Sequence, residues 1–337
     1  MTASSQLVNA NLWYESDEHL LVHSRFTMNE PMASVLEFDR VTKEYRGFWG
    51  RHFRALGDFS LQVRPGEIFG FLGPNGAGKT TAIHLAMGFM RPTGGKGTLL
   101  GAPFGHAATR RRVGFLPENI ALYPRRAEQL VRFYGAINGM KSAELRKRAA
   151  QVVEMVGLQD DIRRNVSRYS RGMLQRMGLA QALVNDPELL ILDEPTSALD
   201  PVARVNVREL LLQARAAGKT IFLSSHLLSE IELLCDRVAV LHRGQLVRLG
   251  TTAELLQAGD ETEIVARGIA AERFAGAVAR NGTVTMIVPA EQQRRTVEHI
   301  WNSGGEIVSL VPRRRSLEEM FLQVVAEPDS RGTEVKP

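Results

Sequence analysis

The chain has 337 residues, 44% of them hydrophobic and 23% charged, the balance of an ordinary globular protein with room for two domains. A net charge of +5 and a pI near 9.5 favour anionic neighbours, such as nucleotide, an anionic membrane face or nucleic acid, or mark only a basic surface. No unbroken apolar run nears the length of a membrane-spanning helix, and the single cysteine, Cys235, excludes an internal disulfide and a cysteine-built zinc site.

Residues 1–31 are polar and aperiodic and read as a disordered leader. Glu15, Asp17 and Glu18 interrupt any signal-peptide core, so a cytoplasmic location is expected. Met32 opens a more convincing start, and translation from Met1 or from Met32 both stand. Val35 to Val41 reads as an edge strand, followed by Tyr45. The next run interleaves Phe48, Trp49 and Phe53 with arginines. That composition suits a nucleotide base or the inner membrane leaflet, or a loop packed on its own subdomain. Leu56 to Val63 is another strand, closed by the turn Arg64-Pro65-Gly66-Glu67, so an antiparallel β-subdomain opens the chain.

Ile68 to Leu72 is a short apolar run that reads as a buried strand, and Thr81 to Met87 reads as a helix. Between them lies Gly73-Pro74-Asn75-Gly76-Ala77-Gly78-Lys79-Thr80-Thr81, which has the form G-x-x-x-x-G-K-T. Strand, glycine loop and helix form the context of a phosphate-binding loop. The glycines let backbone N–H groups converge on phosphate oxygens, and the helix N-terminus adds partial positive charge. Lys79 is the candidate for the β- and γ-phosphates, and the Thr80 hydroxyl for Mg²⁺. The loop alone leaves kinase, GTPase, helicase and transport ATPase open.

Thr98 to Leu100 and Val113 to Leu116 are short strands, the second stopped by Pro117. From about Ala127 to Leu183 the pattern is helical, and Leu130, Phe133, Tyr134 and Ile137 share one face that reads as core. This predicts a helical subdomain over about 119–185. Leu189 to Leu192, Thr220 to Ser224 and Val238 to Leu241 are apolar strands with helices between them. They predict a parallel sheet with function at the carboxyl ends of its strands. Asp193, Glu194 and His226 stand at such ends. Asp193 suits Mg²⁺, Glu194 a general base polarising the attacking water, and His226 a sensor of the γ-phosphate. After residue 249 the composition shifts. Strands at Glu263–Val265, Val284–Val288 and Ile307–Leu310 alternate with helices at Ala271–Ala279, Glu291–Trp301 and Leu317–Val325. They predict a small separate α/β domain over 250–327, and residues 328–337 read as a disordered tail.

Ser170-Arg171-Gly172 opens a helix, continues to Gln175-Arg176, and begins 23 residues before Asp193. This stretch resembles the signature motif of ATP-binding cassette (ABC) proteins, and the other motifs follow in the family's order. Tyr45 resembles the aromatic residue that stacks on adenine. Leu116-Pro117-Glu118 resembles the segment joining core and helical subdomain. Leu192 to Asp200 resembles the Mg²⁺ strand and the loop that touches the partner subunit. Leu223 to His226 resembles the histidine switch. The resemblance spans roughly Val35 to Leu249 and implies a P-loop NTPase cassette, with the antiparallel and helical subdomains and an appended C-terminal α/β domain.

The chain departs from the family pattern in two places. Arg171 replaces the first signature glycine and Met173 the glutamine, while Ser170 keeps its hydroxyl and Gly172 its access to the backbone. Glu118 stands where the family has glutamine; it keeps a Mg²⁺ ligand and loses a donor. Both changes, and the C-terminal Arg315-to-Phe321 segment, look similar to cassettes of two-component exporters. The resemblance implies ATP and Mg²⁺ as cofactors and a head-to-tail dimer, in which Ser170, Arg171, Gly172 and Asp200 serve the partner's nucleotide. It further implies a separate transmembrane permease at the cytoplasmic face of the membrane, with no specific nucleic acid. A soluble cassette ATPase acting on nucleic acid or ribosomes, and a non-hydrolysing regulatory cassette, are the alternatives.

Overall fold

The structure, a computed structural model, describes residues 34–46, 52–256, 258–314 and 317–326. The expected leader, Met32, Phe48, Trp49 and the expected tail lie outside these residues. The chain divides into two compact units that meet between Leu249 and Gly250.

In the first unit, β1 (Leu36–Arg46) pairs antiparallel with β2 (His52–Val63). The fully buried β3 (Ile68–Leu72) then leads into α1 (Lys79–Ala86). Strands β4 (Gly94–Leu99) and β5 (Ala102–Pro103) complete an antiparallel sheet ordered β2-β1-β4-β5. A short α2 (Ala107–Arg110) precedes β6 (Val113–Leu116). Helices α3 (Ala127–Ile137), α4 (Ser142–Met155) and α5 (Arg171–Leu183) form the helical subdomain. The chain continues through β7 (Leu189–Asp193), α6 (Pro201–Ala216), β8 (Thr220–Ser225), α7 (Leu228–Leu234), β9 (Arg237–His242) and β10 (Gln245–Thr251).

The second sheet runs β10-β9-β3-β8-β7-β6, and β9, β3, β8, β7 and β6 pair in parallel. Its central strands are continuous apolar runs because a parallel sheet is covered on both faces. One core joins the two sheets across α1, whose Ile83 and Leu85 are buried among residues of both. Phe38 meets Phe59 at 5.1 Å, Phe59 meets Phe71 at 5.9 Å, and Phe71 meets Phe222 at 5.3 Å, so a chain of rings crosses from sheet to sheet. Strand β3 leaves this core flanked by β8, with β7 beyond it, so the carboxyl ends of three strands come together at one edge.

The face that α3 buries differs from the one its period suggests. Ala127, Leu130, Val131 and Gly135 are buried, while Phe133 and Ile137 are 44% and 61% exposed. At Gly135 the Leu145 side chain of α4 comes close to the α3 backbone, with Leu145 Cδ1 at 2.3 Å from where a Cβ would stand. Cys235 is buried, as expected of a small apolar side chain.

The second unit begins with the single-turn α8 (Thr252–Leu255), whose N-cap Thr251 and Glu254 form a capping box. Strands β11 (Ala258–Arg267), β12 (Val278–Arg280), β13 (Thr283–Pro289) and β14 (Glu306–Arg314) form a sheet ordered β12-β13-β11-β14, antiparallel at every pairing. Helix α9 (Gln293–Asn302) links β13 to β14 and buries Ile300 against Ile264, Val284 and Met286. Helix α10 (Leu317–Ala326) follows. The helix expected at Ala271–Ala279 is instead a 3-10 turn at Ala271–Arg273 followed by β12. Gly276 lies at φ +71°, a left-handed conformation that no α-helix interior contains.

Candidate nucleotide site

The glycine loop leaves β3 at the sheet edge and closes on itself. Gly78 takes φ +108°, and a Cβ there would lie 2.5 Å from the Ala55 carbonyl, so only glycine lets α1 start at this point. A Cβ on Gly73 would lie 2.5 Å from the Leu241 carbonyl. Lys79 folds back over the loop, its Nζ donating to Gly73 O at 2.6 Å and Pro74 O at 3.3 Å. Burial lowers the Lys79 pKa below its ordinary value, against the raising effect of Glu194, Asp193 and Glu118.

Pro74 to Thr81 line a cavity of about 320 Å³ together with Phe53, Ala55, Glu118, Asp193 and Glu194. Three residues distant in sequence thus reach the loop: Glu118 after β6, and Asp193 and Glu194 at the end of β7. Thr80 Oγ1 donates to Asp193 Oδ2 at 3.2 Å. Glu194 is held at φ +54°, a left-handed conformation costly for a residue with a side chain. Several bonds fix it there. Its N–H donates to Ser224 O at 3.1 Å, and its carbonyl accepts from Gln175 Nε2 at 3.0 Å and Ser197 Oγ at 3.1 Å. Its carboxylate Oε2 lies 2.8 Å from His226 Nδ1. An ionised carboxylate only accepts, so Nδ1 carries the proton in this pair.

The remaining predicted residues stand apart from this cavity. Ser170 caps α5, accepting from Met173 N at 3.3 Å, with Arg171 exposed beside it. A Cβ on Gly172 would lie 3.5 Å from Ala198 O, so the signature turn packs beside the loop that ends in Asp200. Asp200 caps α6 by accepting from Ala203 N at 2.9 Å. None of Ser170, Arg171, Gly172 and Asp200 lines the cavity. Tyr45 does not line it either: its hydroxyl donates to Met90 Sδ at 3.3 Å, and its ring stacks on Phe53 at 6.5 Å. Phe53 is the ring that reaches the loop.

Sequence reasoning missed Gln175 and Ser224. Gln175 is 4% exposed on the signature helix, and its bond to the Glu194 carbonyl joins that helix to the β7 end. A buried amide at that position of an otherwise apolar helix face was the available signal. Ser224 pairs with Asp193 in the β8–β7 register, which no local pattern discloses.

Comparison with known proteins gives consistent matches. The family model described as ABC transporter matches residues 56–197. An uncharacterized ABC transporter ATP-binding protein of Synechocystis sp. is 36% identical over 335 residues, covering 96% of this chain and 95% of the relative. A Nod factor export ATP-binding protein I of Cupriavidus pinatubonensis is 37% identical, covering 69% of this chain and 71% of the relative. Among solved structures, a dimeric ATP-binding cassette in a post-hydrolysis state, bound to ADP and Pi, superposes with a TM-score of 0.61 at 26% identity. That match covers 64% of this chain and 98% of the other.

Proposed function

The chain belongs to the ABC transporter family as an ATP-binding and ATP-hydrolysing cassette subunit, and on that premise we propose how its residues divide the work and whom it serves. The observation that carries the proposal is the line from Thr80 through Asp193 and Glu194 to His226, in which each carboxylate already meets its partner.

Phosphates enter the glycine loop, and Lys79 exchanges the Gly73 and Pro74 carbonyls for phosphate oxygens. Phe53, backed by Tyr45, supplies the ring surface for adenine. Thr80 and Asp193 fit Mg²⁺: both offer hard oxygens, and they stand close enough to share one ion. Among the described residues no three His, Cys, Asp or Glu side chains are grouped to hold a metal by themselves, so these two supply part of a shell that phosphate oxygens and water complete. Glu118 lines the same cavity and would help hold the ion, directly or through water. When bound, the ion neutralises charge on the β- and γ-phosphates. Glu194 takes a proton from the attacking water, and His226 orients its carboxylate.

The separation of Ser170, Arg171, Gly172 and Asp200 from the cavity supports a head-to-tail dimer, in which the signature turn of one chain covers the nucleotide of the other. The dimeric state of the similar solved cassette points the same way, and a homodimer suffices because every motif is present. No described helix is long and apolar enough to cross a membrane. Membership of the transporter family supports a separate transmembrane permease at the cytoplasmic face, and the similarity to a Nod factor export protein favours export.

Glu194→Gln tests this reading. The expected outcome is a loss of kcat of about 10²–10⁴-fold with ATP affinity retained and an ATP-dependent dimer in size-exclusion chromatography with light scattering. Wild-type turnover in E194Q sinks the general-base assignment. Affinity purification from membranes checks the permease, expected as a co-purifying protein with several long apolar spans.

A further inference from the structure

We infer that Ser224 is a positioning residue that fixes the Asp193 carboxylate for the metal, an assignment that rests on the Mg²⁺ reading of Asp193 and Thr80 above. Ser224 is fully buried on β8, directly opposite Asp193 on β7. Its hydroxyl donates to Asp193 Oδ1, and it shares the Glu194 N–H, accepted at 3.3 Å, with the Ser224 backbone carbonyl at 3.1 Å. A serine hydroxyl has one proton to give, and here it goes to the carboxylate. The lone pairs take the neighbouring amide. One side chain therefore touches both the Asp193 carboxylate and the Glu194 backbone, the second alongside the strand's own hydrogen bond.

The two oxygens of Asp193 are bonded from opposite sides. Oδ2 accepts from Thr80, which belongs to the nucleotide loop, and Oδ1 accepts from Ser224, which belongs to the sheet. Thr80 would offer its hydroxyl oxygen to the metal if nucleotide and metal were bound, so its bond to Asp193 is the one a ligand would alter. Ser224 is itself fully buried and is not among the residues that line the cavity. The bond to Oδ1 restrains rotation of the carboxylate group and favours the orientation seen here, with Oδ2 facing Thr80. Partners of this kind, which orient a metal ligand without touching the metal, typically change metal affinity or activity by about 10–100-fold when removed.

The test uses the full chain and Mn²⁺ as a paramagnetic probe for the Mg²⁺ site. Mn²⁺ binding to the ATP-analogue-saturated protein is measured by electron paramagnetic resonance, and analogue binding alone is measured in EDTA. Ser224→Ala removes the hydroxyl without adding volume, and Ser224→Cys keeps the bulk with a much weaker donor. Both are expected to weaken Mn²⁺ binding about 10–100-fold while nucleotide affinity in EDTA stays at the wild-type level. Asp193→Asn is the reference and is expected to lose at least as much. Wild-type Mn²⁺ affinity in both Ser224 variants, with loss in D193N, overturns the role of Ser224 alone. Nucleotide affinity in EDTA that falls in parallel with Mn²⁺ affinity overturns it too, because that marks general damage to the loop. Wild-type Mn²⁺ affinity in D193N removes the metal reading itself.

Discussion

Lys79 holds its ammonium against the carbonyls of Gly73 and Pro74, in a place where burial outweighs the three nearby carboxylates and lowers its pKa. The sign of the consequence follows from proton counts. Between the lowered folded-state pKa and the ordinary value of 10.5, the unfolded chain holds a proton that the native chain has released. Native stability therefore rises with pH across that window, and at lower pH the buried charge is a standing cost. Lys79→Met keeps the length of the side chain and removes the charge. It is expected to abolish nucleotide binding while unfolding at the same temperature as wild type or higher near neutral pH. The stability difference should shrink as pH approaches 10.5, as followed by thermal melts in a pH series. A clearly less stable K79M at neutral pH would contradict this account. The same trade, local stability given up for a ligand, is visible at Glu194, whose left-handed backbone is fixed by bonds from β8, the signature helix and its own loop.

At the scale of elements, two helices begin at residues that also carry the interface motifs. Ser170 caps α5 and Asp200 caps α6, so each motif residue has a structural task beside its proposed intermolecular one. Substitution can separate the two at Asp200. Asp200→Ala should cost about 1 kcal/mol in denaturant unfolding through the lost cap, and Asp200→Ser should restore most of it. If Asp200 acts across the dimer through its charge, D200S in the E194Q background forms less ATP-dependent dimer despite normal stability. Full dimerisation would leave Asp200 as a cap only. Packing of α5 is equally exacting: a Cβ on Gly114 of β6 would stand 2.1 Å from the Ala182 carbonyl, so the signature helix lies against bare backbone. Glycines also mark the two elements whose phase or type differs from the sequence expectation. Gly135 lies on the buried face of α3 opposite Leu145, and Gly276 at φ +71° interrupts the expected helix with a turn before β12.

At the scale of the molecule, each unit has its own apolar cluster. One is built around Phe38, Phe71 and Phe222, the other around Ile264, Met286 and Ile300. Separate cores predict separate unfolding transitions in calorimetry. The proposed nucleotide residues all lie in the first unit, so only its transition should move with ligand. In E194Q, which is expected to hold ATP, a concentration near 100 times Kd should add about 2.7 kcal/mol, a rise of roughly 5–10 °C. A single transition, or one in which both units shift equally, would show that the two fold as one.

The sequence by itself determined the phosphate loop, the buried parallel strands, the order of the cassette motifs and the change of composition near residue 249. Each of these is written in neighbouring residues: glycines that allow a tight turn, apolar runs that demand burial on both faces, a lysine and threonine at fixed spacing. Only the tertiary structure decided which residues meet. The register of β7 on β8 set Ser224 against Asp193, the packing of α5 brought Gln175 to the Glu194 carbonyl, and the β1–β2 pairing placed Phe53 rather than Tyr45 at the cavity. A hydrogen bond between groups many residues apart depends on strand register and helix phase. Those are fixed by the whole core and not by any local pattern.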